Sequence, residues 1–245
     1  MRENAVMFSD ITVPDEAVKY ILFQRTGYLA YPEFGSLRML KKLCPWSLYE
    51  TYVMLESVFR RKKVKQLFNQ DIADEYENIK SYLPSECSRI LDIGCGVGGI
   101  DVMLYRHYDG GGNVEFYLFD KTNLSGKIYY GFKTKAAFYN SLEIAEKILC
   151  SNGMEIEKIH LLEVPDDYKI NVKPGVDLVI SLLSWGFHYP VSKYIDQVYD
   201  ILRCGGHLIL DVRKKSGGEE EVGEMFSKME KISEGKKYVR VLAIK

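Results

Sequence analysis

The stretch Ile90-Leu-Asp-Ile-Gly-Cys-Gly-Val-Gly-Gly99 joins an apolar run, a glycine-rich turn and the start of a helical pattern. The apolar run predicts a buried strand over Arg89–Ile93, and the apolar spacing that follows predicts a helix over Gly99–Tyr108. Glycines at positions 94 and 96 permit a sharp turn and let a ligand approach the backbone, because no Cβ intervenes. Ligands of parallel sheets bind beyond the carboxyl ends of the strands, where this turn lies. The stretch therefore predicts a ligand site at Gly94 and Gly96.

Strand and helix patterns alternate from this stretch to the end of the chain. The other predicted strands are Val114–Phe119, Lys158–Val164, Val176–Leu182, Gly206–Val212 and Lys237–Ile244. The other predicted helices are Thr134–Ser151 and Val191–Leu202, and the polar segment Lys214–Glu221 leads into a last helix and a closing hairpin. This alternation predicts a mostly parallel sheet with helices on both faces.

Residues 1–80 have a different pattern. Apolar residues recur at spacings of three and four in Pro14–Gln24, Trp46–Arg60 and Asp71–Leu83, which predicts helices. We therefore expect an N-terminal helical extension over 1–80 and a main domain over 81–245. Two interpretations of the extension stay open: its aromatic residues pack it onto the main domain, or it is a lid over a substrate pocket. A monomer and a homodimer formed through these helices are both compatible with the pattern.

Charge and cysteine content restrict the class of protein. The chain has 33 basic and 34 acidic residues, so no excess charge suggests a nucleic acid partner. Its five cysteines have no short metal-ligand spacing, which fits a reducing compartment. No apolar run approaches the roughly 18 residues that span a bilayer, and the first ten residues have no signal-peptide core. These features predict a cytoplasmic protein without a membrane or nucleic acid partner.

Gly94, Gly96 and Gly99 also match the GxGxxG pattern of NAD(P)-dependent oxidoreductases, which makes such an enzyme the first alternative. Asp92 argues against it, because a carboxylate two residues before the first glycine would face a pyrophosphate. The same carboxylate would favour a cofactor that carries an ammonium and a sulfonium group. The motif also begins near residue 90 rather than on the first strand, and no second catalytic domain is evident.

Four segments carry a resemblance to one family. Leu91-Asp-Ile-Gly-Cys-Gly-Val-Gly98 resembles motif I of the class I S-adenosylmethionine-dependent methyltransferases, and Phe116-Tyr-Leu-Phe-Asp120 resembles their second strand. Asp177-Leu-Val-Ile-Ser-Leu-Leu183 resembles the fourth-strand motif. Leu202-Arg-Cys-Gly-Gly-His-Leu-Ile-Leu210 resembles the turn before the fifth strand, with Arg-Cys where Lys/Arg-Pro is more common. The resemblance covers roughly residues 85–245.

The resemblance implies an α/β fold with a mostly parallel, seven-stranded Rossmann-like sheet, an antiparallel last strand, helices on both faces and the N-terminal extension. Lys237–Ile244 would be that antiparallel strand, at the edge of the sheet. It also implies S-adenosyl-L-methionine as cofactor and S-adenosyl-L-homocysteine as product. The Asp120 carboxylate would accept hydrogen bonds from both ribose hydroxyls, and Glu163 and Val164 would lie near the adenine. The complete set of implied cofactor-binding residues is Asp92, Gly94, Cys95, Gly96, Asp120, Lys121, Glu163, Val164 and Ser181.

The segment after the predicted fourth strand, Ser181-Leu-Leu-Ser-Trp-Gly-Phe-His-Tyr-Pro190, lies beside the transferred methyl group in this family. It has neither the Asn/Asp-Pro-Pro-Tyr run nor the Pro-Cys nucleophile of nucleic acid methylation. His188 is the candidate general base, because imidazole titrates near neutral pH, although a structural role stays open. Trp185 and Tyr189 are candidate walls of the acceptor pocket, or core packing residues.

A second candidate acceptor region is the basic and aromatic segment after Asp120. Lys133, with Tyr130 beside it, would bind a carboxylate or phosphate of the acceptor, unless this is a solvated basic face. No cluster of Asp and Asn follows the fourth strand, so we predict no metal.

These features favour methylation of a small-molecule acceptor, on oxygen more than on nitrogen. The chain is similar to tailoring methyltransferases of bacterial surface-polysaccharide and secondary-metabolite pathways. Tyr129–Asn140 and Ser184–Pro190 resemble enzymes of methyl phosphoramidate decoration in capsule biosynthesis, which would imply a phosphorylated or sugar-linked acceptor. A non-catalytic protein that binds the cofactor is the second alternative.

Overall fold

Seven strands form one sheet in the computed structural model, which describes residues 10–30, 46–108, 113–124 and 139–245. The strands are β1 (Arg89–Ile93), β2 (Glu115–Asp120), β3 (Ile159–Glu163), β4 (Val176–Ser181), β5 (Leu202–Arg213), β6 (Lys228–Glu234) and β7 (Tyr238–Ile244). Their order in the sheet is β3-β2-β1-β4-β5-β7-β6. The strands from β3 to β5 are parallel to one another, and β7 is antiparallel to both of its neighbours.

Helices cover the sheet on both faces. They are α1 (Ala17–Gln24), α2 (Trp46–Phe59), α3 (Arg61–Ile79), α4 (Gly99–His107), α5 (Leu142–Ser151), α6 (Ile195–Ile201) and α7 (Gly218–Met225). Within the described ranges, none of these helices is both long and apolar enough to cross a bilayer. The start of the predicted helix Thr134–Ser151 lies outside the described residues.

Alternate residues of the central strands belong to two separate apolar clusters. Ile90 of β1 and Leu178 of β4 pack in one cluster with residues of α4 and α5. Their neighbours Leu91 and Val179 pack in the other with residues of α6 and α7. Side chains alternate along a strand, so the two clusters lie on opposite faces of the sheet. The predicted Rossmann-like α/β fold, with seven strands and helices on both faces, is confirmed.

The N-terminal helices share the first of these clusters. Buried residues of α1 and α3 pack together with those of α4 and α5. The backbone of Thr12 exchanges two hydrogen bonds with the Asn152 side chain at the end of α5, at 2.9 and 3.0 Å. The extension therefore has no apolar core separate from that of the main domain among the described residues.

Helix α3 begins ten residues earlier than the sequence pattern predicts. Val64, Phe68, Ile72, Tyr76 and Ile79 are buried along one face, while the residues between them are mostly charged or amide-bearing. Spacings of three and four continue back to Val64, so the apolar stripe extends the helix to Arg61. The prediction that this helix spans Asp71–Leu83 is therefore wrong at its start.

The predicted position of the last strand is also wrong. β7 lies inside the sheet between β5 and β6, and β6 forms the edge. β7 has five consecutive buried residues, whereas the Lys-Met-Glu-Lys-Ile-Ser-Glu sequence of β6 has none. Charged residues are tolerated on an edge strand and oppose pairing with other chains, so the more apolar strand of the hairpin takes the interior position.

A buried ion triad joins the N-terminal extension to the sheet. Arg240 of β7 donates from Nε and Nη2 to the two carboxylate oxygens of Asp211 on β5, at 2.7 and 2.8 Å, and both side chains are fully buried. Its Nη1 lies 2.6 Å from Glu75 Oε2 on α3, outside hydrogen-bonding geometry, so this contact is mainly electrostatic. Asp211 also accepts a hydrogen bond from the Leu183 backbone.

Replacing Arg240 with Met should lower the free energy of unfolding by about 3–5 kcal/mol, because the buried Asp211 and the half-buried Glu75 lose their cation. Denaturant unfolding of the variant measures this loss. Arg61→Met is the matched control, since Arg61 pairs with Asp15 on the surface, and it should change stability little. Wild-type stability in Arg240→Met would contradict a structural role for the triad.

Candidate functional site

The turn between β1 and α4 depends on glycine. Gly94, Gly96 and Gly98 all have positive φ angles, of 79°, 59° and 75°, which residues with a Cβ rarely adopt. A Cβ on Gly94 would lie 1.8 Å from Ser184 Oγ. The Gly94 backbone N–H donates to Phe119 O at 2.7 Å, which holds the turn against the end of β2. The predicted sharp turn is therefore present beyond the carboxyl end of β1.

Asp120 ends β2 directly beside this turn. Its Oδ2 accepts hydrogen bonds from Gly96 N at 2.9 Å and from Asn140 Nδ2 at 3.0 Å, and its Oδ1 accepts one from Lys121 N at 2.7 Å. Burial raises the pKa of Asp120 to about 6, while these three donors act in the opposite direction. The carboxylate is therefore oriented by three donors and ionised at neutral pH.

Two amide side chains from distant segments continue this hydrogen-bond network. Asn140 is buried, and its Oδ1 accepts a hydrogen bond of 3.3 Å from Nε2 of Gln24, the last residue of α1. The Gln24 Oε1 lies against the turn, 2.8 Å from the place that a Cβ on Gly96 would occupy. Neither amide belongs to the predicted site, and no local sequence pattern marks them.

Two further carboxyl groups lie beneath the turn. Asp92 of β1 and Asp101 of α4 are both buried, and among the described residues no donor reaches either carboxyl oxygen of Asp101. Two buried carboxyl groups that act on each other cannot both ionise easily, which favours a proton on the pair. Burial raises the pKa of Asp101 to about 7, and burial together with the charges of Asp101 and Asp120 raises the pKa of Asp92 well above its usual range. Within the part of the chain that the structure describes, the charged groups that act on this pair are all acidic, so the region under the turn is electronegative.

An aromatic crevice opens between the turn and the carboxyl ends of β2 and β3. Its walls include Gly94, Asp120 and Val164, together with the rings of Phe119, Tyr168, Trp185, Tyr189 and Tyr194. Its enclosed cavity measures about 30 Å³, far below the ~300–1,000 Å³ typical of small-molecule sites, so side chains on its walls must move apart before an organic ligand can enter. Flat aromatic walls beside a carboxylate suit a ligand with a ring and hydroxyl groups.

The segment Ser184–Tyr189 forms one side of this crevice and is held by Ser181. The Ser181 hydroxyl donates to Ile93 O at 2.6 Å and accepts from Trp185 N at 3.0 Å. The Trp185 indole N–H donates to Val191 O, so its ring is fixed. Ser181 is buried and absent from the crevice wall, and its contacts here are structural.

The other predicted residues occupy different places. Val164 lines the crevice, whereas the exposed Glu163 accepts a hydrogen bond from Thr122 N at 2.8 Å. Cys95 is buried within the turn, where burial and the nearby carboxylates raise the pKa of its thiol. The side chain of Lys121 lies on the surface with its Nζ 4.0 Å from Asp166 Oδ1. Lys133 and Tyr130 lie outside the described residues.

His188 lies beside the crevice rather than in its wall. Trp185 and Tyr189 line the crevice, while His188 contacts the ring of Phe187 at a centroid distance of 5.0 Å. Burial, and then the charge of Arg213, lower the pKa of His188. The imidazole is therefore neutral at pH 7 and can accept a proton.

Sequence reasoning missed Tyr168 and Tyr194 as crevice residues. Tyr168 adopts a positive φ of 60° in the loop after β3, and Lys193 Nζ lies 3.3 Å from the centre of its ring. Tyr194 packs edge-on against Phe119 and Trp185. A tyrosine in the loop after β3 is a weak signal, because such loops at the ligand edge of the sheet carry many residue types.

No protein-family model and no curated protein matches the chain, but solved structures are similar to it. An S-adenosylmethionine-dependent O-methyltransferase from Thermotoga maritima is 14% identical, covering 71% of this chain and 64% of its own, with a TM-score of 0.47. A methyltransferase from Aquifex aeolicus that also depends on S-adenosylmethionine is 16% identical, covering 70% and 88%, with a TM-score of 0.49.

The 16S rRNA N2 G1207 methyltransferase of T. thermophilus, solved with its methyl donor and guanosine, is 15% identical, covering 73% of this chain and 42% of its own, with a TM-score of 0.47. The matched region thus spans less than two thirds of the Thermotoga and T. thermophilus proteins. The fold assignment rests on the strand order and direction described above.

Asp101→Asn should remove a pH dependence of stability. The folded state keeps protons on the Asp92–Asp101 pair that the unfolded chain loses above pH ~4, so wild-type stability falls as the pH rises from about 4 to at least the Asp101 pKa of about 7. The amide introduced by the substitution can donate to Asp92 without that proton, so the variant should melt at a higher temperature than wild type at pH 8, with the difference shrinking towards pH 5.

Thermal melts from pH 5 to pH 8 measure this effect. The control is Asp196→Asn, which changes an exposed aspartate in the first turn of α6 and should leave the wild-type profile unchanged. Parallel profiles for Asp101→Asn and wild type would show that the pair does not hold a proton.

Proposed function

We propose that this chain is an S-adenosylmethionine-dependent methyltransferase that acts on a small-molecule acceptor. The observation that carries the proposal is the Asp120 carboxylate, which ends β2 and is oriented beside the Gly94–Gly96 turn and the aromatic crevice. A carboxylate in this position can accept hydrogen bonds from ribose hydroxyls. The adenine ring would enter the crevice beside it once the wall side chains move apart.

The charge around the turn supports a cationic cofactor. Asp92, Asp101 and Asp120 lie together, and among the described residues the charged groups that act on the buried pair are all acidic. An ammonium and a sulfonium group would be stabilised here. The Ser184 side chain covers Gly94 and must shift when a ligand reaches that glycine, while the Gln24 side chain lies beside Gly96.

When bound, the cofactor supplies a methyl group activated by its sulfonium. The role of this chain's residues is then to position the two reactants and exclude water. Asp120 holds the ribose, and the buried ring of Trp185 and its neighbour Tyr189 form a dry wall beside the reacting groups.

The charge cluster also argues against the oxidoreductase alternative. A dinucleotide would bring its pyrophosphate to the glycine turn, where it would meet Asp92, Asp101 and Asp120. Calorimetric titration with S-adenosylhomocysteine and with NAD(P) separates the two functions, and binding of NAD(P) alone would refute the methyltransferase proposal.

An oxygen acceptor is favoured because a hydroxyl must lose its proton on methylation, and His188 is a neutral imidazole that can take it. Burial raises the pKa of Tyr189, so its hydroxyl stays protonated at neutral pH and is not available as a base. A phosphorylated or sugar-linked acceptor remains a proposal that depends on Lys133.

The non-catalytic alternative predicts cofactor binding without S-adenosylhomocysteine formation from any acceptor.

Asp120→Ala should weaken S-adenosylhomocysteine binding by about 10- to 100-fold, because it removes charged hydrogen bonds to the ribose. Isothermal titration calorimetry measures the dissociation constant. Asp200→Ala, which changes an exposed aspartate of α6, is the matched control and should bind as wild type does. Unchanged affinity in Asp120→Ala would remove Asp120 from the cofactor site.

His188→Ala should leave cofactor affinity intact and reduce turnover by about 10²–10⁴-fold, because the acceptor loses its general base. The readout is S-adenosylhomocysteine release from a panel of hydroxylated small-molecule acceptors. His207→Ala is the control, because His207 bonds the Tyr82 backbone on the amino side of β5, away from the crevice. Equal turnover in His188→Ala and wild type would exclude His188 as the base.

A further inference from the structure

Asp120 alone offers too few acceptor positions for two ribose hydroxyls. A carboxylate has about four lone-pair positions, and Asp120 already accepts from Gly96 N, Lys121 N and Asn140 Nδ2. One position is left for a ligand hydroxyl. A second hydroxyl therefore needs another acceptor close to Asp120, or has to displace one of the three donors.

The amide of Gln24 lies where this second acceptor is needed. Its Nε2 bonds Asn140 Oδ1, and Asn140 in turn bonds Asp120, so the two amides and the carboxylate form one continuous chain. Its Oε1 faces the Gly96 backbone on the ligand side of the turn. An amide oxygen accepts a hydroxyl proton well.

We propose that Gln24 binds the ribose of the cofactor together with Asp120, and that Asn140 is the positioning residue that sets both groups. The inference rests on the proposed function and extends it, because it makes the N-terminal extension part of the cofactor site. Gln24 supplies an acceptor for one hydroxyl, and Asp120 accepts the other. Asn140 orients the Asp120 carboxylate and fixes the Gln24 amide.

The packing of α1 supports this assignment. Ala17, Val18, Ile21 and Leu22 are fully buried, so the helix is held firmly against the main domain and its last residue has a defined place. The Gln24 side chain is exposed. Its removal should therefore affect a ligand more than the fold.

The test measures binding of two probes by calorimetry at pH 8. S-adenosylhomocysteine and 5′-methylthioadenosine share the ribose and the adenine, but only the first has the amino-acid tail that reaches the glycine turn. The variants are Gln24→Ala and Asn140→Ala. Gln70→Ala is the matched control, because it removes an amide from α3 that bonds the nearby Asp74 on the surface. Thermal melts verify that each variant is folded.

We expect Gln24→Ala to weaken the binding of both probes by about 3- to 10-fold. Asn140→Ala should weaken their binding by about 10-fold or more, because it loses a hydrogen bond to a charged group. The factors should be equal for the two probes. Gln70→Ala should bind both as wild type does.

Asn140→Asp provides a readout that a purely structural role would not give. It places a second carboxylate against Asp120, so binding at pH 8 should be weaker than in Asn140→Ala. At pH 5.5 the two carboxyls can share a proton, and the deficit relative to Asn140→Ala should shrink. An Asn140→Asp deficit that does not change with pH would overturn the positioning role.

Unchanged affinity in Gln24→Ala would overturn the assignment of Gln24 while leaving the proposed function intact. Tighter binding in Gln24→Ala or Asn140→Ala would also overturn it, because the amides would then compete with the ribose. A loss confined to S-adenosylhomocysteine would place Gln24 at the amino-acid tail instead. Failure of the wild-type protein to bind either probe would refute the proposed function and this inference with it.

Discussion

The candidate site depends on the hydrogen bond from the Gly96 backbone to the Asp120 carboxylate. This bond joins the turn after β1 to the end of β2, and it forms only because the glycine backbone can adopt a positive φ. It places a carboxylate and a glycine turn at the same edge of the sheet. The aromatic crevice, the hydrogen-bonded amides of Gln24 and Asn140, and the Asp92–Asp101 pair are all arranged around this contact.

The structure uses buried charge in two different ways. In the Arg240–Asp211–Glu75 triad a cation balances two carboxylates, so the charges join α3 to the sheet. Beneath the glycine turn, Asp92 and Asp101 meet no cation from the described ranges of the chain, and burial raises the pKa of both groups. The first arrangement stabilises the fold, whereas the second opposes stability at neutral pH. Groups with strongly perturbed pKa values cluster at functional sites.

Much of the fold followed from local pattern. Strand–turn–helix signals and alternating apolar runs gave the parallel sheet and its helices, because each depends on residues close together in the sequence. The order within the final hairpin was mispredicted, because the pairing of β7 with β5 is a contact between distant segments, although the charged sequence of β6 is typical of an edge strand. It also predicted too late a start for α3, because the first turns of this helix carry many charged residues around a narrow apolar stripe.

The sequence by itself determined that a glycine turn follows β1 and that an acidic residue ends β2, because both are properties of contiguous residues. Only the tertiary structure decided which side chains meet there. Gln24 and Asn140 are 116 positions apart and come together because α1 packs against the main domain. The Asp92–Asp101 contact likewise depends on how α4 returns along β1. Hydrogen bonds between distant segments have no local signature, since they form only once apolar packing has set the geometry of the backbone.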